Sequence, residues 1–191
     1  MTRIAFIVGS PTRGSRLFGL TQYLEDRLDL AGYTIDFISA ADLPAEDLLR
    51  ADFNSPDIKQ VIAAVEKADA VIIASPVYKA SYSGALKTIL DLIPQKGLQG
   101  KVVLPLFIGG SIAHLLAVDY GLKPVVAALG GTNILGGVYA VDQWISRLEN
   151  GGYEITEQLR ERLDDALNEL RTELARYVPR EPVNQQGWQA V

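Results

Sequence analysis

Short, nearly unbroken apolar runs alternate along this chain with segments of helical periodicity, and that alternation limits the fold more than any other feature. Residues 4–8 (Ile-Ala-Phe-Ile-Val), 70–74 (Ala-Val-Ile-Ile-Ala) and 101–108 (Lys-Val-Val-Leu-Pro-Leu-Phe-Ile) lack the apolar–polar alternation of a strand with one wet face. They read as strands buried on both sides, as in a parallel sheet covered by helices. Residues 33–38 give a shorter, more mixed strand and 133–141 a fifth. Helices are predicted over 16–31, where Leu17, Leu20, Leu24 and Leu28 share a face and Gly32 follows, and over 57–67, after Ser55 as N-cap and Pro56 at the first turn. Two more are predicted over 83–93, stopped by Pro94, and over 113–129. A long amphipathic helix is expected over 153–177, while 41–54 reads as irregular and 179–191 as a tail.

Right-handed crossovers leave few ways to connect five such strands. The expected fold is an α/β, flavodoxin-like three-layer sandwich with a five-stranded parallel sheet in the order 2-1-3-4-5, the second strand at an edge. A length of 191 residues suits one domain. It is expected over 1–178, with the C-terminal tail at 179–191.

Composition removes several functions. The formal net charge is −5, so nucleic acid and anionic membrane surfaces are poor partners. The chain has no cysteine, which excludes disulfides, a thiol nucleophile and thiolate metal sites. The first apolar run is too short for a signal peptide, and no run nears the roughly 20 apolar residues of a membrane helix. A cytoplasmic location is expected. No metal-ligand cluster, carboxylate pair or Ser-His-Asp arrangement is legible, and His114 is the only histidine. No catalytic side chain is assigned, as befits chemistry carried by a bound cofactor.

Ligands of such sheets bind beyond the carboxyl ends of the strands. Three loops fall there. The first, Gly9-Ser10-Pro11-Thr12-Arg13-Gly14-Ser15-Arg16, offers hydroxyls, arginines and the free N–H groups of a helix start, which suits a phosphomonoester. The same residues would serve a plain turn capped by Ser15. The Gly-Lys-Ser/Thr ending of a Walker A loop is missing. The second, Ser75-Pro76-Val77-Tyr78-Lys79-Ala80-Ser81-Tyr82-Ser83-Gly84, supplies a stiff exit and tyrosines, either as a flat wall for a planar ring or as packing under the loop. The third, Gly109-Gly110-Ser111, allows close backbone approach or an ordinary turn. In the helix after it, Gly121 and Pro124 favour a kink or a π-bulge, and Pro124 strips the Tyr120 carbonyl of its helical partner.

Gly9-Ser10-Pro11 with Ser15, the run Ser75 to Lys87, and Gly109-Gly110-Ser111 together resemble the NADPH-dependent FMN reductase family. Residues 100–126 are similar to one branch, the reductase component of two-component alkanesulfonate monooxygenase systems. The resemblance implies that NADPH or NADH reduces FMN, which then leaves for a partner monooxygenase that releases sulfite from sulfonates. It implies FMN contacts from Ser10, Thr12, Arg13, Ser15, Arg16 and Leu17 around the phosphate. Pro76, Val77, Tyr78 and Lys79 would line the ring, Ser83 would lie near it, and Gly109, Gly110 and Ser111 would lie at its edge. It also implies a homodimer or homotetramer, with Tyr120 in a π-helix at the subunit interface. The family often has arginine directly after Gly-Ser-Pro; this chain has Thr12 there and then Arg13, which leaves Arg13 open to either phosphate or dinucleotide. A quinone, azo or metal-ion reductase that retains FMN, and a flavodoxin-type electron carrier, are the alternatives.

Overall fold

A computed structural model describes residues 2–176 of the chain. Its central sheet runs in the order β2 (Thr34–Ser39), β1 (Arg3–Val8), β3 (Ala70–Tyr78), β5 (Val102–Gly109), followed at the far edge by the short β6 (Asn133–Ile134) and β7 (Val138–Val141). The β1–β2, β1–β3 and β3–β5 pairs are parallel, as are both edge pairings of β5. With β6 and β7 taken as one interrupted strand, this is the expected 2-1-3-4-5 order.

The interruption has a local cause. The N–H of Leu135 donates to the carbonyl of Val103, and Pro105 stands on the same edge of β5 with no N–H to offer. Opposite it the chain bulges through Gly136 and Gly137, the latter at φ +78°. A Cβ on Gly137 would lie 2.7 Å from the Pro105 carbonyl oxygen. Pairing resumes at Val138, opposite Leu106.

Successive residues of each strand face opposite layers. Ile4, Phe6, Val8, Ile72 and Leu104 pack with Leu20, Leu24 and Leu28 of α1 (Leu17–Leu30) and with Leu159, Leu163, Leu167 and Leu170 of α6 (Glu157–Arg176). Ala5, Ile7, Val71, Ile73 and Val103 pack on the other side with α3 (Pro56–Lys67), α4 (Gly84–Leu90) and α5 (Lys123–Ala128). The α1–α6 layer is latched by Asp164, which accepts from the Tyr23 hydroxyl at 2.9 Å and pairs with Arg27 at 3.1 Å.

Several elements differ from the sequence reading. The irregular 41–54 contains α2 (Ala45–Arg50). Ser55 precedes α3, yet its hydroxyl caps nothing. The strand expected to stop at 74 runs to Tyr78 and turns back as β4 (Ser81–Tyr82). The predicted helix start at Tyr153 is instead β9 (Tyr153–Ile155), paired antiparallel with β8 (Ile145–Arg147). Alternation in Tyr-Glu-Ile and the Gly151-Gly152 turn favour a hairpin there, and α6 begins only at Glu157. Tyr177, the domain limit at 178 and the tail at 179–191 lie outside the described residues. Among the described residues no helix is long and apolar enough to cross a membrane.

Candidate functional site

Because β1, β3 and β5 are adjacent and parallel, their carboxyl ends open side by side and bring the three loops together. The Gly9 N–H donates to the Ala74 carbonyl at 2.8 Å, tying the first loop to β3. The Ser83 hydroxyl donates to the Gly9 carbonyl, tying it to α4. A Cβ on Gly109 would stand 3.4 Å from Val77 Cβ, so the second and third loops touch.

The first loop is folded on itself by Ser10, which is wholly buried. Its hydroxyl donates to the Thr12 carbonyl at 2.9 Å and accepts from the Thr12 N–H at 3.4 Å. The Ser15 hydroxyl accepts from the Leu17 N–H at 3.2 Å. Among the described residues, the N–H groups of Ser10, Arg13, Gly14 and Arg16 meet no protein acceptor. These unclaimed donors cluster at the start of a 14-residue helix, whose dipole adds positive potential there. An acidic chain needs such local donors to hold a phosphate.

Two expectations for this loop change. Arg13 is engaged: its guanidinium forks onto Asp42, with Nε 2.7 Å from Oδ1, and lies over the Phe18 ring. Asp42 follows β2, the neighbour of β1, and 29 residues of sequence hide the pair. Leu17 is fully buried in the α1 face of the core, and its N–H belongs to Ser15, so it presents no side chain to a ligand. Thr12 and Arg16 are exposed, and Arg16 enters no ion pair among the described residues.

In the second loop Pro76 is buried, Val77 half-buried, and Tyr78 and Lys79 exposed, Tyr78 by 52%. Lys79 and Ala80 both take left-handed backbone, φ +51° and +64°. A two-residue hairpin turn needs that geometry, and glycine or asparagine normally supplies it; here two L side chains are held in it beside a binding edge. Ser83 lies underneath, buried. Its N–H donates to the Ser75 hydroxyl at 2.9 Å, and its own oxygen accepts from the Leu86 N–H at 3.0 Å. Ser83 therefore fastens two loops, and its hydroxyl is already committed.

In the third loop, Gly109 is required by Tyr139, whose hydroxyl oxygen would clash with a Cβ there. The Tyr139 hydroxyl donates to the Ser111 carbonyl at 2.8 Å. Burial, then the Asp142 carboxylate, pushes its pKa above the ordinary tyrosine value, so the proton stays on this bond. Gly110 and Ser111 are exposed. Next come a 3-10 turn (Ile112–His114) and a π-helical turn (Ala117–Leu122) in place of a continuous helix. The π-turn packs against the hairpin, a Gly121 Cβ being placed 3.1 Å from the Ser81 hydroxyl. Tyr120 projects from it, 79% exposed.

The arrangement suits a ligand with a phosphate at one end and a flat ring at the other. The model of the NADPH-dependent FMN reductase family matches residues 2–146 of the chain. The chain belongs to the NADPH-dependent FMN reductase family. It is 46% identical to an Escherichia coli protein named FMN reductase (NADPH), over 86% of each chain. It is 44% identical to a Pseudomonas putida protein of the same name, over 91% of this chain and 88% of that one. An NADH:FMN oxidoreductase structure superposes with a TM-score of 0.81 at 34% identity, covering 95% of this chain and 92% of that one. Membership carries the enzyme class with it: an oxidoreductase of FMN with NADPH or NADH as donor. The residues present fit FMN: the unclaimed donors between Ser10 and Arg16 suit its phosphate, and Gly110 and Ser111 stand exposed beyond the end of β5. Among the described residues no cluster of acidic and histidine side chains could hold a metal ion.

The sequence reading missed Tyr139 and Tyr153. Both are tyrosines on late strands whose hydroxyls bond loop carbonyls, Tyr139 at Ser111 and Tyr153 at Ser15. For Tyr139 the available signal was a lone hydroxyl in the apolar run Val-Tyr-Ala-Val; Tyr153, between Gly152 and Glu154, carried none.

Proposed function

We propose that this reductase hands its reduced FMN to a separate monooxygenase, in a pathway that takes sulfur from sulfonates, and does not keep the flavin for its own turnover. The observation that carries the reading is the openness of the ring-binding side. Tyr78 and Lys79 at the tip of the hairpin are exposed, and so are Gly110 and Ser111. A flavin lying there keeps one face accessible to nicotinamide and can dissociate. When bound, FMN supplies the hydride-accepting ring, and the protein supplies position. The Ser10–Arg16 segment holds the phosphate, with Thr12 and Arg16 at its rim. Pro76, Val77, Tyr78 and Lys79 support one side of the ring. The Gly109–Ser111 segment presents N–H groups to negative charge that develops on it.

The π-turn supports the placement among reductases of two-component systems, and its exposed Tyr120 closely follows exposed Ile112, Leu115 and Leu116 along the chain. Such an apolar patch fits a homodimer or homotetramer interface.

The test is a spectrum and an assay of dialysed protein. The expected protein is colourless, and its NADPH oxidation depends on added FMN. A yellow protein that oxidises NADPH only with a quinone or azo acceptor would replace this reading with a flavin-retaining reductase. No NADPH oxidation under either condition would leave a carrier role.

A further inference from the structure

The β8–β9 hairpin is docked on the first loop, although neither the sequence pattern nor the family resemblance assigns it a role there. Tyr153 of β9 donates its hydroxyl to the Ser15 carbonyl at 3.0 Å. Its ring and Ile145 of β8 occupy the space over Gly19, where a Cβ would stand 2.9 Å from Tyr153 Cγ and 3.1 Å from Ile145 Cγ2. Arg147, opposite Tyr153 in the hairpin register, reaches the loop itself. A Cβ on Gly14 would lie 3.2 Å from Arg147 Nη2 and 3.6 Å from Nη1, so the guanidinium rests against the loop backbone at this glycine. Arg147 enters no ion pair among the described residues, although Glu149 and Glu154 belong to the same hairpin region.

Gly14 is also one of the residues whose N–H is unclaimed. The loop's own Arg13 is neutralised by Asp42. Two further arginines stand at this loop without an ion pair among the described residues: Arg16, at the helix start, and Arg147, delivered 131 positions later by a hairpin with its own anchors. A guanidinium offers paired N–H donors in the geometry of phosphate oxygens.

We propose that Arg147 is a phosphate-binding residue of this enzyme, completing the first loop's recognition of a phosphomonoester dianion. The inference rests on the reading of that loop as a phosphate site. Two substrates of the reaction can present the group: the 5′-phosphate of FMN and the 2′-phosphate of NADPH. Anchoring through Tyr153 and Ile145 fixes where the arginine starts, and its exposed side chain supplies the reach.

The test is steady-state kinetics of the purified enzyme and of Arg147→Gln and Arg147→Lys, each with FMN against riboflavin and with NADPH against NADH. Arg147→Gln is expected to raise KM about tenfold for one phosphorylated substrate, the loss typical of a charge-assisted hydrogen bond. KM for its unphosphorylated counterpart and kcat should stay within about twofold. Arg147→Lys should recover part of the loss. A rise confined to FMN assigns the 5′-phosphate, and one confined to NADPH assigns the 2′-phosphate; either supports the proposal. Unchanged KM values, or equal changes with and without the phosphate, overturn it and leave Arg147 as packing over Gly14. Failure of the loop reading looks different: the unsubstituted enzyme would then already fail to distinguish FMN from riboflavin.

Discussion

Gly9→Ala is expected to cost about 2–3 kcal/mol of folding stability and to raise KM for FMN about tenfold, through overpacking against backbone. The new Cβ would stand 2.8 Å from the Cα of Leu86 and 3.1 Å from its N. These are main-chain atoms of the first turn of α4, so no rotamer change relieves them, and the helix must back away from the end of β1. The Ser83 cap and the hairpin before it are joined to that turn, so the displacement spreads to the ring-binding loop. Gly84→Ala is the internal control: apart from its chain neighbours and its own helix backbone no atom lies within 4 Å of its Cβ position, and alanine is the better helix former. Denaturant unfolding of the two variants, with parallel flavin kinetics, checks the contrast. Equal stability of Gly9→Ala and the unsubstituted protein would show that the first loop and α4 are not in contact as described.

Ser83→Ala should be nearly as damaging, by about 2–3 kcal/mol, although it adds no bulk. The hydroxyl performs two tasks at once. It accepts from the Leu86 N–H as the N-cap of α4, worth about 1 kcal/mol. It also donates to the carbonyl of Gly9, which alanine would leave buried without that partner, at about 1–2 kcal/mol. At this chain length the sum lowers Tm by about 5–10 °C. Since the hydroxyl is already committed, saturating FMN should restore most of the activity at low temperature. Loss of kcat at saturating FMN without loss of Tm would instead make Ser83 a direct ligand contact.

The layered sheet was legible because strands buried on both faces carry a signal that loops cannot mimic: the run 70–74 has no polar residue and sits between two helical periodicities. The three loops were legible for the same reason, since strand order dictates which ends meet. What was hidden was pairing at a distance. Arg13 faces Asp42, and nothing near Arg13 in sequence says that its charge is neutralised. Leu17 sits beside loop residues, yet helical phase turns its side chain into the core with Leu20, Leu24 and Leu28. The extension of β3 to Tyr78 was hidden because Lys79-Ala80 lacks the glycine or asparagine that marks a two-residue hairpin turn. The π-turn was the opposite case. Pro124 removes a donor and Gly121 loosens the segment, so the irregularity was readable from two residues.

The free N–H donors between Ser10 and Arg16 are proposed to hold the phosphate of FMN. The most direct test is flavin fluorescence titration of the dialysed protein with FMN and with riboflavin, which shares the ring and lacks the phosphate. FMN is expected to bind at least about tenfold more tightly, a preference that Ser10→Ala reduces by relaxing the loop. Equal affinity for the two flavins would contradict the account, because the ring-binding loops would then supply all of the binding and the loop after β1 would be only a turn.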